Sequence, residues 1–341
     1  MNDRSPELAL KVPPSPLGVE RALLVPASAR FTFQRALDLL SPVTSLDDWD
    51  DVRAGRVSRP MVFEERVYLV TTRSAGRSSV LHVTVRSADG ERAPGDAVLE
   101  AAHEAVTRRF ALNLDMDAVR AVLSVNDFGR QLLVFAWPAR PPGLADPWEA
   151  LLRSVIATRA FRRRASVLER RLSNSFGPRG RFSGHEVTLL PRPEALAAVA
   201  PAALVALGFR ANRAEVLPHL AARFAARREG FTPRAQRARS SDDLVADLLA
   251  LPGVSPWAAG VTAGRGFGLM DALTDEPGLR LIVGRGFNHD LRARPPSPAE
   301  FRELMSAFRP YRGLACRYAY LARYGLQPGW GDAGVHVNAQ A

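Results

Sequence analysis

Cysteine and lysine are almost missing from this chain of 341 residues: Cys316 and Lys11 are the only members of their types. One thiol excludes an intrachain disulfide and any zinc or iron–sulfur site built from four cysteines. One lysine, placed in a proline-rich stretch, leaves no amine in the body of the chain to form a Schiff base with a sugar or carbonyl substrate. The six histidines show no metal-ligand spacing, so neither a metal nor a cofactor is expected. No apolar run reaches the roughly 18 residues of a membrane-spanning helix, and the alanine-rich stretch from Ala195 to Phe209 is broken by Pro201. With no signal-peptide pattern either, the expectation is a cytoplasmic protein, associated with the nucleoid, without a membrane partner.

What the chain has in excess is positive charge. The net charge is +11 and the sequence pI is about 10.9, nearly all of it carried by arginine. Such a balance favours polyanionic partners through counterion release. Between Arg153 and Arg181 nine arginines face one acidic residue, Glu169. Hydrophobic residues make up 47% of the chain, enough for a sizeable core divided over two or three domains or subdomains.

The pattern along the chain predicts an α+β, mainly α architecture. Residues 1–27 are polar and proline-rich and read as a disordered or loosely packed tail. Phe31-Thr32-Phe33 opens an N-terminal α+β domain over 28–140. Within it Arg66–Arg73 and Ser79–Arg86 are rich in Val, Tyr and Thr and read as strands, followed by the turn signal Ala88-Asp89-Gly90. Helical periodicity follows at Ala97–Arg109 and Asp115–Leu123. Pro138 to Gly143 marks a boundary, after which 146–326 reads as almost wholly helical, with 327–341 as a C-terminal tail.

One segment carries chemistry. Leu244, Val245, Leu248, Leu249 and Leu251 recur at helical spacing after Ser240 or Ser241, either of which can cap the helix. Pro252 and Gly253 stop it. Ser255 can cap a second helix, and Pro256 suits its first position, where a missing N–H costs nothing. A hairpin this tight presents the backbone of Gly253, Val254 and Ser255, together with the positive end of a helix dipole, as a site for a phosphate. The plain alternative is an ordinary helical hairpin closed by a Pro-Gly turn.

The segment 242–266 resembles the helix-hairpin-helix of the DNA glycosylase superfamily of that name, in its bacterial 3-methyladenine DNA glycosylase II branch. Three further stretches match in order: Asp146 to Ile156, Pro193 to Gly208, and Arg309-Pro310-Tyr311-Arg312-Gly313 ahead of an apolar helix. The resemblance spans about residues 28 to 326. It implies a small antiparallel sheet domain followed by helical domains, and a monomer that acts on double-stranded DNA containing a damaged base. The implied activity is monofunctional excision of alkylated bases such as 3-methyladenine, with water as nucleophile. Trp257 and Tyr311 take the positions of pocket aromatics, Leu39 replaces an N-terminal aromatic, and Val261 replaces a tyrosine. In the loop between two helices Thr158 stands where the family has glutamine and Arg159 where it has an apolar wedge, with Arg162 and Arg163 just beyond. Either Arg159 plugs the stack and donates to the orphaned partner base, or these arginines form a solvated helix face that touches phosphates.

The family's catalytic aspartate precedes a Gly-Leu-Arg-like triplet. Anchored on Gly278-Leu279-Arg280, that position is Glu276, with Asp275 immediately before it. A fixed carboxylate there stabilises the oxocarbenium character that the sugar gains as the glycosidic bond breaks. Glutamate is longer by one methylene, so three readings stay open: Glu276 acts, Asp275 acts, or the chain binds or bends damaged DNA without catalysis.

Overall fold

Strand pairing begins earlier than the sequence pattern predicts. The computed structural model describes residues 11–12, 20–28, 31–40, 51–53, 55–76, 80–88, 92–144, 146–158, 162–227, 230–232, 235, 239–290 and 292–323. In it β1 (Lys11–Val12) and β2 (Glu20–Pro26) already belong to an antiparallel sheet. This corrects the expected tail over 1–27, because Leu23 and Val25 alternate into the core at 2% and 0% exposure. Residues 1–10 and 13–19 of that tail, and 327–341 at the other end, lie outside the described residues.

After α1 (Phe33–Asp38), β3 (Asp51–Arg53), β4 (Arg56–Phe63), β5 (Arg66–Ser74) and β6 (Val80–Ser87) complete the sheet in the order β1-β2-β6-β5-β4-β3. The two strands read from the sequence are β5 and β6. Strict alternation in β6 sends Leu81, Val83 and Val85 inward, where α2 (Asp96–Arg109) meets them with Val98, Leu99, Ala102 and Val106. Period two on one partner and period 3.6 on the other bury both apolar faces at once.

The next two helices do not stay with the sheet. In α3 (Met116–Leu123), Asp115 caps the first turn, accepting from the Asp117 and Ala118 amides; in α4 (Asp127–Ala136), Asn126 accepts from Gly129 at 2.8 Å. Their apolar stripes, Met116, Val119, Leu123 and Phe128, Leu132, Ala136, pack among the last helices of the chain. The division expected near residue 140 therefore places α3 and α4 in the wrong unit.

The helical body is built around α5 (Pro147–Ala157), whose residues from Pro147 to Ile156 are all buried. Asp146 caps it through the Trp148 amide at 2.7 Å. Next come α6 (Arg162–Phe176), a hairpin of β7 (Arg179–Phe182) and β8 (His185–Thr188), α7 (Pro193–Ala197), α8 (Pro201–Ala206) and α9 (Ala211–Ala226). The β7–β8 hairpin departs from the all-helical expectation. Ser183 and Gly184, with φ of 50° and 84°, close its turn, and Phe182 packs on Val67 of the sheet. The described residues end with α10 (Ser241–Leu249), α11 (Pro256–Val261) running into a π turn (Thr262–Gly266), α12 (Pro277–Asn288), α13 (Pro298–Ser306) and α14 (Arg312–Arg323).

Sheet and helical body are joined by buried charge. Arg59 of β4, 1% exposed, pairs with Glu149 of α5. Arg153 of α5, fully buried, holds its Nε 3.1 Å from Glu149 and 3.7 Å from Glu169 of α6. Breaking such a set from one side leaves charge buried without compensation, at a cost of about 3 kcal/mol. Arg153→Met is therefore expected to lower the unfolding free energy by about 3 kcal/mol, read as a lower urea midpoint at unchanged slope.

Candidate active site and DNA interface

The hairpin forms as its sequence dictates. Ser240 accepts from the Asp243 amide at 3.1 Å and caps α10; Ser255 accepts from Ala258 at 3.2 Å and caps α11, with Pro256 in the first turn. Gly253 between them has a φ of +74°, a conformation that costs any other residue about 1–2 kcal/mol. Val216 of α9 crowds it from behind, so a Cβ on Gly253 would lie 2.4 Å from Cγ1 of Val216. Among the described residues the Gly253 and Ser255 amides have no hydrogen-bond partner, while Val254 N–H closes weakly on Leu251 at 3.4 Å. Two unfilled donors at the start of a helix suit an anion.

Thr158 is brought to this hairpin. Its hydroxyl donates to Ser154 at 2.8 Å, ending α5, and lies 3.5 Å from the Ser255 hydroxyl. Arg213 of α9 donates to the Thr158 carbonyl at 3.4 Å, a link that nothing in the linear sequence signals. Arg163 is exposed on α6; Arg159 and the side chain of Arg162 lie outside the described residues.

The acidic segment is gripped from both sides by glycines. At Gly260 of α11 a Cβ would stand 2.1 Å from the Leu273 carbonyl oxygen and 2.7 Å from Cα of Thr274. At Gly313 of α14 it would stand 2.4 Å from the Ala272 carbonyl and 2.9 Å from that of Met270. The two helices thus close directly on residues 270–274, and the chain delivers Asp275 and Glu276 just past the clamp.

The two acids have different surroundings. Asp275 Oδ1 lies 3.2 Å from Nε of Arg280, and Arg280 also donates to the Pro296 carbonyl at 3.3 Å. Glu276 occupies the N-cap position of α12 without using its side chain as a cap. Among the described residues its carboxyl has no hydrogen-bond or ion-pair partner, and it is only partly exposed. Burial pushes its pKa above the ordinary carboxylate value, outweighing whatever the helix N-terminus beside it contributes.

Behind the acids four charged residues tie three elements together. Arg312 of α14, 3% exposed, contacts Asp271 at 2.6 Å and Asp242 of α10 at 2.8 Å; Arg309 reaches the same two carboxylates at 3.2 and 2.6 Å. Burial and the two carboxylates act oppositely on Arg312, and the net effect raises its pKa. The buried thiol of Cys316 is pushed up to about 12 and is inert.

The predicted pocket residues do not share one cluster. Leu39 and Tyr311 pack at the edge of the core shared by α3, α4 and α12–α14, whereas Trp257 packs on the main helical core and on Leu144, Ala150 and Val261. Tyr311 keeps a neutral phenol, its pKa raised first by burial and then by Asp115. Among the described residues no cluster of His, Cys, Asp or Glu can hold a metal, and no helix is long and apolar enough to cross a membrane.

Two measurements test this geometry. Gly253→Ala is expected to weaken binding to duplex DNA about tenfold in a fluorescence titration, since relief of the clash and of the positive φ must move the hairpin. Glu276→Gln is expected to stabilise the protein at neutral pH. The folded-state pKa of Glu276 is raised, so the unfolded chain releases that proton first and wild-type stability declines as pH rises from the unfolded toward the folded value. The advantage of glutamine should disappear below pH about 4, where both states carry the proton; a Tm difference independent of pH would contradict the assignment.

No family model matches the chain. DNA-3-methyladenine glycosylase 2 of Escherichia coli is 29% identical over 191 residues, which cover 55% of this chain and 62% of that protein. The match thus spans less than two thirds of the relative. Among solved structures, the 3-methyladenine DNA-glycosylase from Archaeoglobus fulgidus superposes with a TM-score of 0.68 at 15% identity, covering 88% of this chain and 98% of that one. The 8-oxoguanine glycosylase/lyase of Clostridium acetobutylicum gives 0.65 at 14% identity, covering 92% and 98%. The chain therefore has the fold of the helix-hairpin-helix DNA glycosylases, and its sequence resembles their 3-methyladenine branch.

Proposed function

We propose that the protein is a monofunctional DNA glycosylase of base excision repair, extruding a damaged base from duplex DNA and hydrolysing its N-glycosidic bond. The observation that carries this reading is Glu276: an unpaired, partly buried carboxyl placed beyond a backbone clamp, on the helix system that also carries the phosphate-binding hairpin. A base inside the duplex is out of reach, so it must be rotated out and held. The hairpin holds the backbone through the Gly253 and Ser255 amides while Glu276 faces the sugar.

As the bond between C1′ and the base nitrogen breaks, its electron pair leaves with the base and positive charge grows on the sugar. The Glu276 carboxylate stabilises that charge. Water then adds to C1′ and its proton passes to the carboxylate. Asp275, held by Arg280, positions the turn and does not reach the reacting atoms. Lys11 lies in β1 of the sheet domain, so water remains the nucleophile. Alkylated bases such as 3-methyladenine are the lesions that the resemblance implies, and they are the first substrates to assay.

Base release from methylated duplex DNA tests the assignment. Glu276→Gln is expected to lower the single-turnover rate by a factor of a hundred or more, about 2.7 kcal/mol in the barrier, while abasic-site DNA is still bound. Asp275→Asn should retain most of the rate. Equal loss in both variants would move the catalytic role to the pair, and release unaffected by either would leave a DNA-binding protein without this chemistry.

A further inference from the structure

Helix α6 contains five arginines and one acid, and the two signs of charge separate around its axis. At about 100° per residue, Arg163, Arg164, Val167, Arg170 and Arg171 fall within roughly 120° of one another. This is the solvent side: the four arginines are exposed, and Val167 among them keeps 42% of its surface. Ala165, Leu168 and Leu172 take the opposite side and enter the main helical core. Glu169 goes with them, buried and 3.7 Å from Nε of Arg153. Among the described residues no carboxylate forms an ion pair with any of the four exposed arginines. Exposed arginines elsewhere are matched, Arg130 with Asp127, Arg179 with Glu186 and Arg294 with Glu300.

Two of the four are held by neutral partners. Arg164 donates to the Gly208 carbonyl at 3.4 Å and Arg171 to that of Leu207 at 3.0 Å, both just past the end of α8. Such contacts complement the negative end of that helix but leave most of each guanidinium's donors and all of its net charge unanswered. They also bring α6 against the start of α9, where Arg210 is exposed. Helix α9 in turn adjoins the hairpin. Its Arg213 donates to the Thr158 carbonyl, the Thr158 hydroxyl lies 3.5 Å from that of Ser255, and Val216 backs Gly253. The arginine face is therefore continuous with the turn that offers two unfilled amides.

We propose that the exposed face of α6, with Arg210 at the start of α9, is a second contact for the duplex backbone, gripping phosphates to one side of the one at the hairpin. This rests on the glycosylase reading above for its duplex partner and extends the footprint on it. Arg163 and Arg170, like Arg164 and Arg171, stand seven residues apart. That is about 10.5 Å along the helix, or roughly three phosphates of one strand at about 3.4 Å of duplex axis each. Guanidinium forks suit phosphate oxygens and read no base. The face therefore binds damaged and undamaged DNA alike, and holds the protein on the duplex between lesions.

The test is the salt dependence of binding to an undamaged duplex of about 25 base pairs, followed by fluorescence anisotropy. Replacing both Arg170 and Arg171 by Gln is expected to weaken binding about tenfold at low salt and to reduce the slope of log affinity against log salt by about 1.8, which is 0.9 for each phosphate contact. Arg163→Gln, which breaks no hydrogen bond among the described residues, should reduce the slope by about 0.9 on its own. The charge-matched control replaces Arg56 and Arg73 by Gln; these are exposed and lie opposite each other on β4 and β5, and the slope should not change. A wild-type slope in both α6 variants would overturn the contact, and an equal fall in the control would overturn its location. Tighter binding of single-stranded RNA than of duplex, lost in the α6 variants, would overturn the choice of partner. No base release by wild type from methylated duplex would sink the glycosylase reading, while the slopes on undamaged DNA would still decide this contact.

Discussion

The candidate site depends on the contact of Arg309 and Arg312 with Asp242 and Asp271. Asp242 opens α10, the first helix of the hairpin; Asp271 stands four residues before Asp275; and the two arginines introduce α14. Three segments distant in sequence are thereby held at one point. Because Arg312 is almost completely buried, its guanidinium cannot relax into water if a partner is displaced. The distance between the hairpin turn and the acid is consequently set by side chains that belong to neither.

Around this node the architecture divides its tasks. The sheet domain supplies a rigid flank, connected through Arg59 to Glu149 and so to the buried helix α5. Helix α5 ends at Thr158, beside the Ser255 that starts α11, so the buried helix and the hairpin meet at the surface proposed to address DNA. The third core, built from α3, α4 and α12–α14, carries the acid on its rim. Its rings interlock closely, with Phe128 4.9 Å from Phe287 and 6.2 Å from Phe308.

The hairpin was legible because local chemistry decides it: two capping serines, a proline where no donor is needed, and a glycine at a positive φ. The strands β5 and β6 and the helices α2 and α3 were legible from their periods. The early strand β2 was not, since Glu20, Arg21 and Pro26 mask the short inward pair Leu23 and Val25. Nor could periodicity tell that α3 and α4 pack with the end of the chain: an apolar stripe states that it will be buried and not against what. Within the site, the sequence left Asp275 and Glu276 as alternatives. What separates them is Arg280, one turn into α12, and a helix contact of that kind becomes specific only in three dimensions. The charge node was invisible for the same reason, although the Arg309 to Gly313 motif contained half of it.

The paired glycines around residues 270–274 carry a last implication. With backbone packed on backbone at Gly260 and Gly313, that stretch has no freedom to slide unless two helices separate. Reach is then adjustable only through side-chain length at the residue that follows. A glutamate in place of the shorter acid amounts to extending a lever whose pivot cannot be relocated, and under the proposed function it specifies how far from the clamp the sugar must sit.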